Sequence, residues 1–278
     1  MNKFKLAVAA LAVLGLNITT ASAATLDEVK SKGHIQCGVD GGLPGFSSPN
    51  DKGQMSGIDA DICYALAAAV FGDRSKVKFT PLTAKERFTA LSSGEIDILS
   101  RNTTHTLLRD SSLGLNFTYY NYIDGQGFMV KKNLGVKSAK ELDGAAVCVQ
   151  SGTTTELNLA DFFRTHKLQY QPVVFDTADQ VVKGFEADRC DALTSDQSQL
   201  YALRIKLANP DSAEVLPNVI SKEPLGPLVR QGDDQWFNIV KWTLFALVNA
   251  EELGVTSASV DDMKAKSTDP NVKRLLGT

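Results

Sequence analysis

The sequence is poor in the residues that most often carry chemistry. Among 278 residues only three are histidine, His34, His105 and His166, and no two of them stand at a metal-ligand spacing. There is no G-x-S-x-G, no H-E-x-x-H and no Walker A segment, so the commonest nucleophile, zinc-protease and nucleotide signatures are missing. Four cysteines occur, none in a C-x-x-C pair, which removes the usual zinc reading. Basic residues are also in deficit: 29 Lys and Arg against 32 Asp and Glu leave no electropositive footprint for nucleic acid. Long apolar runs are lacking as well. The best candidate after the N-terminus, residues 236–253, is interrupted by Asn238, Lys241, Asn249, Glu251 and Glu252, whereas a membrane span needs about 20 largely apolar residues. It reads instead as a core helix with Trp236, Ile239, Val240, Trp242, Phe245 and Leu247 near its buried side.

What is present begins with an export signal. Lys3 and Lys5 precede an apolar run from Leu6 to Leu16, and Ala21-Ser22-Ala23 offers an A-x-A cleavage pattern. Residues 1–23 are therefore expected to be removed, leaving a periplasmic chain that starts near Ala24. Losing the two lysines takes the formal charge from −3 to −5. In an exported chain the even set Cys37, Cys63, Cys148 and Cys190 is a candidate for disulfides. Proximity in sequence favours Cys37 with Cys63 and Cys148 with Cys190; four small buried thiols is the plain alternative.

The mature part alternates strand-like and helix-like runs, the pattern of parallel sheets covered by helices. "HIQCGV", "KVKFTPL" and "IDILS" read as strands, with helices "GIDADICYALAAAVFG" and "AKERFTALSSG" between them. A second series repeats the order, with strands "AAVCVQ", "QPVVF" and "CDALTSD" and helices starting at Thr153 and Thr177. Glycine- and proline-punctuated passages lead into and out of the second series, and a long helical tail follows. The expected architecture is thus α/β and two-lobed: lobe 1 from 24–126 and 224–278, lobe 2 from 127–223 inserted on two hinge strands.

Ligands of open α/β sheets bind beyond the carboxyl ends of the strands. After "IDILS" comes Arg101, then Asn102, Thr103, Thr104 and Thr106, then Arg109, more polar groups than one helix cap requires. Arg109 presents a fork that suits a carboxylate. After "AAVCVQ" comes "SGTTTE", in which Thr153 and Glu156 fit a capping box and Gly152 permits close backbone approach. "CDALTSD" ends on Asp196, a partner for a cation or a helix cap. Two anion-accepting ends and one acidic end around a cleft would recognise a zwitterion. His105 lies within the first of these stretches and is a weaker contact candidate.

These stretches, together with "VCVQSGTTTELNLADFF" and "ISKEPLGPLVRQGDDQWFNIVKWTLFAL", resemble the periplasmic substrate-binding proteins of polar amino acid ABC transporters, in particular the general L-amino-acid and glutamate/glutamine/aspartate/asparagine binders. The resemblance implies a class II periplasmic-binding-protein fold that closes over an L-amino acid and delivers it to an inner-membrane permease and ATPase, as a monomer and without a cofactor. It implies Arg109 and Thr104 for the α-carboxylate, the carbonyl of Asn102 and the carboxylate of Asp196 for the α-ammonium, and Thr153, with Thr154 beside it, from lobe 2. Arg87 matches an arginine that meets an acidic side chain in such binders; a solvated charge on an amphipathic helix is its plainer reading. Strict glutamate/aspartate binders of this group carry a second basic residue after the first strand, where this chain has Asp40 and "GGLPGF", leaving Phe46 as an apolar wall. Long members of the group continue past the position of Thr278, so the expectation is that either this chain is cut short or its final lobe 1 helices are missing. Two rivals share the fold: a periplasmic enzyme similar to cyclohexadienyl dehydratase, which needs a tuned acid or base in the cleft, and a sensory binding domain. Arg101 has no role in this reading.

Overall fold

The computed structural model describes residues 24–278, so the expected signal at 1–23 lies outside the described residues. Two five-stranded mixed sheets form the two lobes. In the first, Ile35–Val39 pairs in parallel with Val77–Pro81 on one side and Ile98–Leu99 on the other. Leu228–Arg230 and Leu115–Phe117 complete that sheet in antiparallel pairing. In the second, Ala145–Gln150 lies between the parallel strands Tyr170–Phe175 and Ala192–Asp196. Gln126–Lys131 and Ala213–Val215 add antiparallel strands at its edge. The antiparallel pair Tyr122–Asp124 and Glu223–Leu225 joins the lobes.

Each lobe owns a core. Ile35, Cys37 and Val39, on one face of the first strand, pack with Ile62, Cys63 and Leu66 of helix Ile58–Phe71 and with Trp236, Val240 and Leu244 of helix Asp234–Glu252. That last helix follows lobe 2 in sequence and returns to lobe 1, where the Trp236 indole donates to the Asp97 carbonyl at 2.9 Å. Its buried stripe is 236, 240 and 244, one turn apart each time. Trp242, expected near the buried side, is 61% exposed, and Leu247 is also exposed. The helix is apolar on most of its circumference, so periodicity alone did not fix which face turns inward. No helix among the described residues is long and apolar enough to cross a membrane.

The four cysteines form Cys37–Cys63 and Cys148–Cys190, each tying a sheet strand of one lobe to a segment of the same lobe. The helix expected from "AKERFTALSSG" is shorter than its sequence pattern, Arg87–Ser92, because Thr83 and Glu86 close a turn ahead of it through their side chains. Leu43 and Phe46, from the loop after the first strand of lobe 1, join the core cluster that contains Leu200, Leu203 and Leu207 of lobe 2. The lobes are therefore closed on each other.

Candidate functional site

The polar stretch after Ile98–Leu99 is shaped by a buried acid. Asn102 adopts a positive φ of 29°, a region that Asn tolerates better than most residues. Its N–H donates to the Asp59 carboxylate at 2.8 Å, while Ser100 and Asn121 donate to the other oxygen. Burial raises the Asp59 pKa to about 6 against the pull of these donors and of Arg101. Beyond Asn102 the chain runs alongside the hinge strand: Gly226 N–H donates to Thr103 and His105 N–H to Pro224. A side chain at 226 would place its Cβ 2.0 Å from the Tyr119 carbonyl, so glycine is required for this close approach. Thr106 then caps the short helix Leu107–Ser112 by accepting from the Arg109 N–H, which frees Thr104 for the cleft.

Three arginines converge behind this segment. Arg87 is 3% exposed; it donates to the Thr103 hydroxyl at 3.1 Å, and its Nε has no partner. Burial first, then the charges of Arg109 and Arg101, push its pKa well down, with Asp196 and Asp40 opposing. Arg109 donates to the Thr104 carbonyl at 2.8 Å, and burial lowers it to about 10, so it stays charged at neutral pH. Both guanidiniums lie over the Phe88 ring, at 4.8 Å for Arg87 and 5.1 Å for Arg109, a contact that helps fix them. Arg101 is committed elsewhere: it pairs with Asp40 at 2.6 Å and donates to the Leu82 carbonyl at 2.9 Å. The acid that stands where strict acidic binders have a base therefore holds an arginine at the edge of the site.

Lobe 2 contributes strand ends and helix starts. Thr153 caps helix Thr154–His166, its hydroxyl accepting from Glu156 N–H and donating to the Gln150 carbonyl at 2.7 Å. Thr154 donates to Glu223 of the hinge at 2.9 Å and meets Thr104 across the cleft at 3.3 Å. Asn102 reaches Gln199 across the same gap at 3.3 Å. Asp196 occupies the N-cap position of helix Gln197–Arg204 yet makes no cap bond. Asp124 accepts from Ser198 N–H instead, which leaves the Asp196 carboxyl free. It is 5% exposed, and its Oδ1 has no partner. Burial, then Glu223 and Asp124, raise its pKa well above the carboxylate range, with Arg87 and Arg109 opposing.

These groups surround a cavity of about 20 Å³ between the lobes, roughly one water and smaller than any amino acid. Entry of a ligand thus requires the lobes to part. Of the residues singled out in the sequence, Arg87, Asn102, Thr104, Thr153, Thr154 and Asp196 line it together. Arg109 is buried beside Thr104 but does not reach the wall in this closed form. Phe46 is not part of the wall: its ring packs edge-on against Tyr122 at the hinge, 5.6 Å away. His105 stacks on Phe117 and does not line the cavity either. Arg101, Gln150, Thr155, Ser195 and Gln199 line the cavity without having been assigned to it. Gln150 and Ser195 end strands that were already marked, and Gln199 follows Asp196 by three residues on a helix, so spacing alone would have found them. Among the described residues no cluster of His, Cys, Asp and Glu is suited to a metal ion.

Residues 35–257 match the family described as bacterial extracellular solute-binding proteins, family 3. The chain belongs to this family. Family 3 relatives include the general L-amino acid-binding periplasmic protein AapJ of Rhizobium johnstonii, 61% identical over 277 residues that cover all of this chain and 81% of that protein. The glutamate/glutamine/aspartate/asparagine-binding protein BztA of Rhodobacter capsulatus is 52% identical over 96% of this chain and 79% of its own length. Among solved structures, a family 3 relative from Brucella ovis, an ABC transporter periplasmic binding protein with glutathione bound, superposes with a TM-score of 0.88 at 58% identity. It covers 92% of this chain and 80% of that one.

Proposed function

We propose that this solute-binding protein captures an L-amino acid in the periplasm by closing its lobes and delivers it to the permease of an ABC importer. One observation carries the reading. Two buried ionisable groups of opposite sign, Asp196 of lobe 2 and Arg87 of lobe 1, flank one cavity and each leaves a polar atom without a partner. Buried polar atoms are nearly always bonded, and an amino acid with an acidic or amide side chain supplies the missing donor and acceptor at once, its ammonium to Asp196 and its side-chain oxygen to Arg87. Asp196 takes the ammonium with help from the Asn102 carbonyl, and Arg109, which lies behind the wall beside Thr104 in the empty closed form, turns to the α-carboxylate when ligand fills the cleft. Arg87 meets an acidic or amide side chain, and Thr104, Thr153 and Thr154 complete the polar wall. The names of AapJ and BztA support an amino acid ligand of broad or polar type. The glutathione in the Brucella relative extends the class to compounds that keep an amino acid's free α-groups.

Closure is a population shift: ligand that touches both lobes binds the closed state better, and that difference drives the change. We take the crossings between lobes to lie at the paired strands Tyr122–Asp124 and Glu223–Leu225, and the functional unit to be a monomer. An enzyme on this fold is disfavoured, because Asp196, the one acid that lines the cavity among the described residues, is taken by the ammonium and because the relatives are named as binding proteins. Calorimetric titration of the mature protein with Glu, Gln, Asp, Asn, His and Leu tests the proposal. Binding of Glu or Gln is expected, and no binding to any of the six would overturn it.

A further inference from the structure

Glu223 stands one side chain behind the cavity wall, in contact with Thr154, which lines it. It is 1% exposed and belongs to the hinge strand Glu223–Leu225. Its Oε1 accepts from the Asn158 amide at 2.8 Å and from the Ser221 hydroxyl, and its Oε2 accepts from the Thr154 hydroxyl at 2.9 Å. The strand that carries it is also fixed to the lobe 1 side of the site, since the Pro224 carbonyl accepts from His105 N–H and Gly226 N–H donates to the Thr103 carbonyl. The hinge thus sets where this carboxylate lies relative to Thr104 of lobe 1 and Thr154 of lobe 2.

A carboxylate only accepts, and a threonine hydroxyl has a single proton to give. The Thr154 proton is committed to Glu223, so toward the cavity Thr154 offers lone pairs alone. Thr104 faces it across the cleft at 3.3 Å, and with Thr154 as acceptor the proton between the two oxygens is that of Thr104. Glu223 therefore fixes the direction of a two-hydroxyl chain whose members both line the cavity. A ligand that separates the hydroxyls meets a donor on lobe 1 and an acceptor on lobe 2. That order suits an amino acid whose carboxylate lies toward Arg109, beside Thr104, and whose ammonium lies toward Asp196 of lobe 2.

We propose that Glu223 is a positioning residue for ligand recognition: by taking the Thr154 proton it makes Thr154 an acceptor for the α-ammonium and leaves Thr104 a donor for the α-carboxylate. This rests on the amino-acid reading above and adds to it a device that selects the ammonium. In Glu223→Gln the two donors on Oε1 keep the amide oxygen in place, so the amide nitrogen replaces Oε2 and donates to Thr154. The Thr154 proton then turns toward the cavity, and a donor faces the place of the ammonium.

The test is competition titration of the wild type, Glu223→Gln, Thr154→Val and the double variant. The ligands are the tightest-binding of the six amino acids named above and the same molecule without its ammonium, glutarate in the case of L-glutamate. A general loss of folding or closure weakens both ligands together and leaves their affinity ratio unchanged, so the ratio is the readout. Glu223→Gln is expected to lower the ratio of amino acid to analogue about 10- to 100-fold, the range of one hydrogen bond to a charged group, and Thr154→Val about tenfold. The double variant should match Thr154→Val within about threefold, because Glu223 acts through the Thr154 hydroxyl. An unchanged ratio in Glu223→Gln overturns the assignment while the amino-acid reading stands. So do losses that add in the double variant, the result of a Glu223 charge acting on the ammonium directly. If the wild type binds none of the six amino acids, both fall.

Discussion

Replacing Asp196 by Asn should strengthen the empty protein and weaken its grip on ligand, two changes of opposite sign from one substitution. The carboxyl is buried, its Oδ1 is unpartnered, and Glu223 and Asp124 lie near enough to raise its pKa. A group whose pKa is raised on folding contributes its full stability below its ordinary value, 3.8, and loses it as pH rises toward the folded value. At pH 7 that loss cannot exceed roughly 1.4 kcal/mol for each pH unit between 3.8 and 7, about 4.5 kcal/mol. Asparagine removes the charge but retains an imperfectly bonded amide that costs about 1–3 kcal/mol. The melting point of Asp196→Asn at pH 7 should therefore lie above that of the wild type, by at most about 3.5 kcal/mol of stability, with the gain fading toward pH 4. With ligand the sign reverses, because truncating one partner of a buried charge pair costs about 2–5 kcal/mol, or about 30- to 5,000-fold in affinity for L-glutamate. Wild-type binding should also release protons as the ammonium converts Asp196 to its anion, so affinity should rise with pH and the calorimetric heat should depend on the buffer. Thermal melts from pH 4 to 7, with and without ligand, and titrations in two buffers check each part. A variant that melts lower than wild type at pH 7 and binds L-glutamate unchanged would refute the assignment.

The two other arginines separate by ligand: Arg109→Ala should weaken Glu and Leu alike by about 2–5 kcal/mol, whereas Arg87→Ala should weaken Glu much more than Leu, both read by titration. Equal losses for Arg87→Ala would remove it from the side-chain subsite. Phe46→Ala withdraws a ring that lobe 2 buries, so affinity for every amino acid should fall by a similar factor, and small-angle scattering should show a larger radius of gyration without ligand. Loss confined to one ligand would make Phe46 a pocket wall instead of a closure contact. Removing Cys148–Cys190, which spans 42 residues, should cost about 4 kcal/mol on loop-closure grounds, and removing Cys37–Cys63, which spans 26, about 3.5 kcal/mol, measured by denaturant unfolding of Cys-to-Ala pairs.

Much of the fold could be read from the chain because its signals are local. Strands such as Ala145–Gln150 are continuous apolar runs, as expected where both faces are covered, and Gly72 stops helix Ile58–Phe71 by taking φ 69°. The position of Asp196 on the cavity wall could be read because strand ends are where such sheets bind. What sequence left open depended on partners far along the chain. Arg101 had no role until Asp40, from a loop 61 residues away, was found to hold it. Asp196 looked like a helix cap, and only Asp124, 72 residues earlier, shows why that duty falls elsewhere. Phe46 was read as a pocket wall because the resemblance puts a ligand-contacting residue in its loop, yet an apolar ring gains more from the core that the opposite lobe offers.

On the proposed reading, the placement of the two unpartnered groups on opposite lobes is what gives closure its selectivity. Parting the lobes gives water access to Arg87 and Asp196; closing them without ligand desolvates both and leaves each incompletely bonded, which opposes the closed state. An amino acid with an acidic or amide side chain removes that opposition on both sides. Moving a closure equilibrium from 1:99 to 99:1 needs about 5.5 kcal/mol of differential affinity, and two hydrogen-bonded charge contacts at about 1.5–3 kcal/mol each come close to supplying it. A compound that lacks the ammonium satisfies the arginines and still leaves Asp196 buried without a partner. Discrimination against simple carboxylates is therefore built into the empty site by a group that destabilises it, and the apolar contacts of Leu43 and Phe46 set how much of that opposition the ligand must overcome.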